Sequence, residues 1–165
     1  MQDYVSFLEA RRVLERADHA PFLIELKEEY DNELHVTIEC ACVDDMIIPR
    51  DFYGNANVDK ILAHCKPIIP DPAQKWEIIF DDYIIYQVRN ESYCSFDTKE
   101  IRTGKYLIIF KESELLNYLL VSTDAQQLDD GTFYPAPWQH YGIYTQNHII
   151  DVVSQAEPKV FRVSS

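Results

Sequence analysis

The segment FLIELKEEYDNELHVTIECACV, residues 22–43, carries the pattern that decides the fold. In its second half, apolar side chains alternate with polar ones from Leu34 to Cys40, which is the period of a strand with one buried face. The Asp31-Asn32 pair between the two halves is typical of a turn. The segment therefore predicts a β-hairpin over residues 22–43.

Further strands are expected on both sides of this hairpin, wherever β-branched and aromatic residues form short runs between turn residues. These runs predict strands over residues 76–80, 83–89, 105–110 and 141–144, and an edge strand over residues 159–163. Residues 44–57 contain Pro49 and Gly54 and predict an irregular connection.

Helical spacing of apolar residues appears in four other segments. It predicts a helix over residues 4–17 capped by Asp3, one or two turns from Val58 to Cys65, a helix capped by Ser113, and a final helix over residues 148–156 capped by Asn147. Strands in runs with a few flanking helices predict an α+β fold with a mainly antiparallel sheet, in a single domain over residues 1–165.

The charge balance limits the classes of partner. The chain has 15 basic and 28 acidic residues, a net charge of −13 and a pI near 4.6. Phosphate backbones and anionic membranes would repel such a protein, so we expect neither a nucleic-acid nor a membrane partner. The N-terminus lacks the apolar core of a secretory signal, and the four cysteines suit buried free thiols, so we expect a cytoplasmic protein.

Catalytic and metal-binding motifs are missing from the sequence. The five histidines do not have the spacing of a zinc-binding helix, and there is neither a nucleophile elbow nor a phosphate-binding loop. The Asp-Asp pairs at 44–45, 81–82 and 129–130 are expected at solvated turns. We therefore expect no enzyme, cofactor or metal. A small enzyme or ligand-binding domain with a site around His140, Tyr141 and His148 remains the alternative.

One long segment is acidic and aromatic. Between Lys111 and Lys159 there is no Lys or Arg, while the same stretch contains seven acids. Acidic side chains steer a basic partner and aromatic ones anchor it. The candidate partner-binding residues are Glu112, Asp124, Asp129, Asp130, Tyr134 and Trp138. An ordinary acidic surface with the aromatics in the core would produce the same composition.

The C-terminal segment WQHYGIYTQNHIIDVVSQAEP, residues 138–158, and the preceding YLIIFKESELLNYL resemble small bacterial proteins of the toxin-immunity type. The resemblance covers about the last 60 residues and implies a protein partner, a cognate toxin. We expect an acidic cytoplasmic protein-binding domain, most concretely an immunity-type inhibitor of a basic bacterial toxin. An accessory protein with neither an inhibitory nor an enzymatic role is the third possibility.

Overall fold

Two five-stranded sheets form the body of the protein; the computed structural model describes residues 2–45, 54–95 and 97–163. Sheet A contains, in spatial order, β1 (Gln2–Val5), β12 (Lys159–Val163), β4 (Ile68–Phe80), β3 (Glu33–Val43) and β2 (Phe22–Tyr30). Sheet B contains β5 (Tyr83–Asn90), β11 (His148–Ser154), β10 (Gln139–Tyr144), β7 (Leu107–Glu112) and β6 (Ile101–Thr103). β8 (Gln126–Gln127) and β9 (Phe133–Tyr134) form a separate ribbon.

Within the described residues, three helices accompany the strands: α1 (Phe7–Leu14), α2 (Ala56–Leu62) and α3 (Glu114–Ser122), with a 3-10 turn at Glu91–Tyr93. All the strand pairs of the described residues are antiparallel, which confirms the expected α+β class with antiparallel sheets. None of the described helices is long and apolar enough to cross a membrane.

The predicted hairpin over residues 22–43 is confirmed as β2 and β3, with the turn at Asp31-Asn32. Asn32 has a φ of 59°, a left-handed conformation that asparagine tolerates better than most residues. Leu34, Val36 and Ile38 are fully buried on the inner face of sheet A. His35 and Thr37 alternate with them and lie on its outer face.

The main core lies between the inner faces of the two sheets. Val36 and Ile78 of sheet A belong to the same buried cluster as Ile150 and Val152 of sheet B. Helix α1 adds Phe7, Ala10 and Leu14 to this cluster. The two sheets therefore pack face to face, and α1 contributes to the core that they enclose.

The first helix is shorter than its predicted span of residues 4–17. Residues 2–5 form β1 instead, so Asp3 is not the cap. The cap is Ser6, whose Oγ accepts a hydrogen bond from the Glu9 N–H while the Glu9 carboxylate accepts one from the Ser6 N–H. This reciprocal capping box fixes the helix start three residues later than the apolar spacing indicated.

The predicted C-terminal helix over residues 148–156 is wrong, because residues 148–154 form the strand β11. Ile150 and Val152 point into the main core, while Val153 points to the opposite face and packs in a second cluster beneath α3. A strand covered on both faces has a continuous apolar run rather than alternation. Asn147 is therefore a turn residue between β10 and β11 and does not cap a helix.

Other boundaries differ at sheet edges. β12 lies between β1 and β4, so it is not the predicted edge strand. β4 begins at Ile68, eight residues before the predicted start, and β7 covers residues 107–112 rather than 105–110. The helix capped by Ser113 is confirmed as α3. Of the predicted irregular connection, residues 46–53 lie outside the described part of the chain.

The cysteines are only partly as expected. All four are free thiols. Cys40 is buried, Cys42 and Cys94 are half-buried, and Cys65 is exposed. The prediction of buried thiols is therefore correct for Cys40 and wrong for Cys65.

Candidate functional site: the α3 cleft

A cleft of about 600 Å³ opens on the outer face of sheet B, and we call it the α3 cleft. One wall is helix α3, which contributes Leu116, Asn117 and Leu120. A second part of the lining, the aromatic wall, consists of Phe133 from the β8–β9 ribbon and Trp138 from the segment before β10. A volume in this range is typical of clefts that enclose a ligand or a large side chain.

The aromatic wall is a pair of rings. Phe133 and Trp138 meet edge to face, with ring centroids 4.7 Å apart and an interplanar angle of 87°. Trp138 is half-buried and also packs against the second hydrophobic cluster, which contains Leu115, Leu119 and Val153. The tryptophan is therefore fixed from behind and presents part of its ring to the cleft.

Charged groups surround this aromatic wall, and acids outnumber bases. The cleft is lined by four carboxylates and two ammonium groups, namely Asp97, Glu100, Glu112 and Glu114 against Lys99 and Lys111. Burial raises the pKa of Glu100, and the negative charge of Asp151 adds to this, although Arg102 and Arg89 act in the opposite direction. A partly buried carboxylate in a cleft favours a cation beside it, because the cation stabilises its ionised form.

A buried chain of hydrogen bonds runs from the cleft across sheet B. Ser113 Oγ lies 2.8 Å from His140 Nδ1, and His140 Nε2 lies 3.2 Å from Asp151 Oδ1. Every partner is satisfied when the imidazole hydrogen is on Nε2: the Ser113 hydroxyl then donates to Nδ1, and Nε2–H donates to Asp151. The His140 ring also stacks on Phe110, at 3.9 Å between centroids and 7° between planes.

Asp151 is the charged end of this chain. Its Oδ2 accepts hydrogen bonds from Arg89, at 2.8 Å and 3.1 Å, and from Gln87, at 3.0 Å. Burial alone would raise the pKa of Asp151, but the hydrogen bond from His140 and the charge of Arg89 outweigh it and lower the pKa. The chain therefore holds a buried carboxylate in its ionised form behind the cleft.

The structure brings only part of the predicted partner-binding set to the cleft. Glu112 and Trp138 line it, and the exposed Tyr134 follows Phe133 in the ribbon. Asp129 and Asp130 are exposed in the turn between β8 and β9, as expected for turn acids, and Asp124 is exposed after α3. The pKa of Asp130 is lowered by its hydrogen bonds from Thr132.

The three residues of the alternative site do not meet. His140 is buried at the cleft, whereas Tyr141 points to the opposite face and packs on Phe7, with ring centroids 5.0 Å apart. His140 pairs with Val153 in β11, five residues from His148, and that length of strand spans about 17 Å. Within the described residues, His148 Nδ1 is buried without a hydrogen-bond partner.

Sequence reasoning missed several cleft residues. Glu100 and Phe110 lie before the acidic segment, and no motif in the sequence around them indicates a binding residue. The sequence predicts Ser113 as a helix cap, but its spacing does not reveal the contact with His140, which follows 27 residues later. The misassigned helix over residues 148–156 concealed Asp151, because only the strand register places its carboxylate beside His140.

Comparison of the chain with protein-family models, with curated proteins and with solved structures finds no match. The function is therefore inferred from the geometry and the charges of the cleft.

Proposed function

We propose that this chain is a protein-binding domain whose α3 cleft receives a basic side chain of a partner protein. The observation that carries the proposal is the combination of the Phe133–Trp138 wall with a surplus of carboxylates around it. Aromatic faces attract lysine and arginine cations, arginine most often, and carboxylates pair with the same groups. Pockets of this kind, partly desolvated and built around an aromatic anchor, are typical of interface hot spots.

The overall charge supports the same kind of partner. A net charge of −13 attracts a basic protein over a distance, while the cleft supplies the short-range contacts. In its most concrete form, the proposal is that the chain is an immunity-type inhibitor that masks a basic toxin domain. Association with such a partner should then slow from low to physiological salt, while dissociation changes less.

A single arginine provides the first test. N-acetyl-arginine methylamide has about 16 non-hydrogen atoms, and at about 0.3 kcal/mol per atom it should bind with a Kd of about 0.3 mM. In an NMR titration of the labelled full chain, we expect shifts at the Trp138 indole N–H and around Glu112. The citrulline analogue has the same shape without the charge, so equal binding of the two compounds would contradict the proposal.

A pull-down at low salt tests the protein partner. The wild type is compared with Glu112→Gln, which removes one cleft carboxylate, and with Glu157→Gln, which removes an exposed carboxylate that does not line the cleft. Capture of a basic protein that is weakened by Glu112→Gln and kept by Glu157→Gln supports the proposal. Equal capture by both variants would place the interface elsewhere on the chain.

Ester or amide hydrolysis is a second candidate function, favoured by the connected Ser113, His140 and Asp151 beside the cleft. A histidine also lies between a serine and an aspartate in serine hydrolases, but there Nε2 faces the serine and Nδ1 the aspartate, whereas here Nδ1 faces Ser113 and Nε2 faces Asp151. Here the Ser113 hydroxyl is buried and also accepts the Leu116 N–H at 3.1 Å as the cap of α3, which suits a structural role better. Covalent labelling by a fluorophosphonate that is lost in Ser113→Ala would favour hydrolysis over partner binding.

A further inference from the structure

The outer face of sheet A, on the far side of the main core from the α3 cleft, holds a histidine among carboxylates. His35 lies on the strand β3, and only 8% of its side chain is exposed. Glu33 lies two residues earlier on the same strand face, Glu29 lies on β2, and Glu77 lies on β4. Both ring nitrogens of His35 are within contact distance of these acids.

The distances show which nitrogen faces which carboxylate. His35 Nε2 lies 2.6 Å from Glu33 Oε1 and 3.8 Å from Glu29 Oε2, whereas His35 Nδ1 lies 3.1 Å from Glu77 Oε1. The ligand atoms of Glu29, Glu33 and His35 all lie within 4.8 Å of one another. His35 Nε2 and the carboxylates of Glu29 and Glu33 are therefore three potential ligands that converge at one point. On the other side of the ring, Nδ1 is occupied by its hydrogen bond.

A strand irregularity places Glu29 in this group. The pairing of β2 with β3 shifts between Glu28 and Tyr30, so Glu29 is an extra residue in its strand. Such bulges redirect a side chain. Lys27 contacts Glu29 through Oε1, which leaves Oε2 directed at His35.

We propose that Glu29, Glu33 and His35 form a binding site for a divalent transition metal ion of the zinc type, with water in the fourth position. Imidazole nitrogen and carboxylate oxygen are ligands that zinc accepts at about 2.0–2.2 Å, which places tetrahedral ligands about 3.3 Å apart. To reach this spacing, the carboxylate oxygen of Glu33 has to move about 0.7 Å away from His35 Nε2, and that of Glu29 about 0.5 Å closer to it. Rotation of these long side chains achieves both movements.

Glu77 is the positioning residue of this site. Metal-binding histidines commonly donate their second N–H to a carboxylate, which fixes the ring orientation and the tautomer. The Nδ1 contact of His35 with Glu77 has this geometry and leaves Nε2 for the metal. Without a metal, a proton lies between His35 Nε2 and Glu33 at the position that the metal ion would occupy.

The two ligands on β3 have a spacing of i and i+2, which puts both side chains on one face of a strand. The expectation of no metal rests on the absence of the spacing of a zinc-binding helix, and this pair does not have that spacing. The third ligand comes from the neighbouring strand, where only the register shift makes its position visible.

Calorimetric titration with zinc chloride tests the site in the full, tag-free chain after removal of bound metal by a chelator. A Cys65→Ser background removes the exposed thiol as a competing ligand. We expect one equivalent to bind, and Glu29→Gln and Glu33→Gln each to weaken binding about tenfold or more. Glu77→Gln should weaken it about 10- to 100-fold without removing a ligand.

Glu25→Gln is the matched control, because Glu25 is an exposed acid on the same strand that contacts Lys27 and is not one of the three ligands. Its affinity for zinc should equal that of the parent. Glu29 is 38% exposed, so its glutamine variant should fold, and a thermal melt checks this. The absence of saturable binding in the parent would overturn the proposal, as would equal affinity in the Glu25, Glu29 and Glu33 variants.

Discussion

Replacing Asp151 with asparagine tests whether the hydrogen-bond chain behind the cleft is a major element of stability. The carboxylate is 1% exposed and accepts hydrogen bonds from His140, Arg89 and Gln87, so the change removes a buried charge but little volume. Breaking a buried ion pair costs about 3–5 kcal/mol. Because the Arg89 side chain is 36% exposed and therefore partly screened, we expect a loss of about 3 kcal/mol.

Urea unfolding at several pH values is the assay. At neutral pH the midpoint should fall without a change in slope. The pKa of Asp151 is lowered in the folded state, so its contribution is present above the unfolded-state pKa of about 3.9 and is lost as the pH falls through the lower folded value. The difference between wild type and Asp151→Asn should therefore shrink only at strongly acidic pH.

Asp81→Asn provides the matched control, since Asp81 pairs with Lys159 near the surface, where the side chain of Lys159 is 52% exposed and that of Asp81 is 33% exposed. Solvent screens such a pair, so Asp81→Asn should cost much less stability than Asp151→Asn. If Asp151→Asn destabilised the protein no more than Asp81→Asn, the chain of hydrogen bonds would not be a major source of stability, and the reasoning would be refuted.

Three further substitutions test the packing and the electrostatics. Gly142→Ala should cost about 1–3 kcal/mol in a thermal melt, because the new Cβ would lie 2.9 Å from Cε2 of Phe110; an unchanged melt would show that the ring moves aside freely. His35→Gln, measured in a chelator, should lose most stability below about pH 6.5 and progressively less as the pH rises. Burial alone would lower the pKa of His35, but its hydrogen bonds to two carboxylates raise it. A difference in stability between wild type and variant that stays constant from pH 6 to 9 would contradict the assignment. Trp138→Ala should lower the melting temperature by the equivalent of about 2 kcal/mol, whereas Tyr134→Ala, at an exposed position, should change stability by less than about 0.5 kcal/mol; equal melts would show that Trp138 is not held by the second cluster.

The sequence predicts strands well where apolar and polar side chains alternate. The β2–β3 hairpin has alternating side chains and a turn pair, and both signals are local. β11 is buried on both faces, so its run of Ile149, Ile150, Val152 and Val153 also fits a helix. Only the pairing with β5 and β10 decides for a strand, and that pairing is invisible from spacing within one segment.

The candidate site was predictable only in part for a related reason. The sequence predicts Glu112 and Trp138 as binding residues because the acidic, aromatic segment that contains them supplies much of the cleft. Phe110 reaches the cleft from β7 and Glu100 from the residue before β6, so tertiary packing alone brings them there. The contact between Ser113 and His140 likewise depends on the register of β7 with β10, in which Phe110 pairs with His140.

The hydrogen-bond chain gives the α3 cleft one rigid wall. Ser113 caps α3 through the Leu116 N–H and contacts His140, so one hydroxyl joins the helix start to sheet B. Leu115 and Leu119 of the same helix are buried in the second cluster, which prevents rotation of α3 about its axis. A wall already held in place loses little freedom when a ligand binds, which favours affinity. Phe133, by contrast, belongs to a ribbon of two residue pairs, so adjustment to different side chains should occur at this residue.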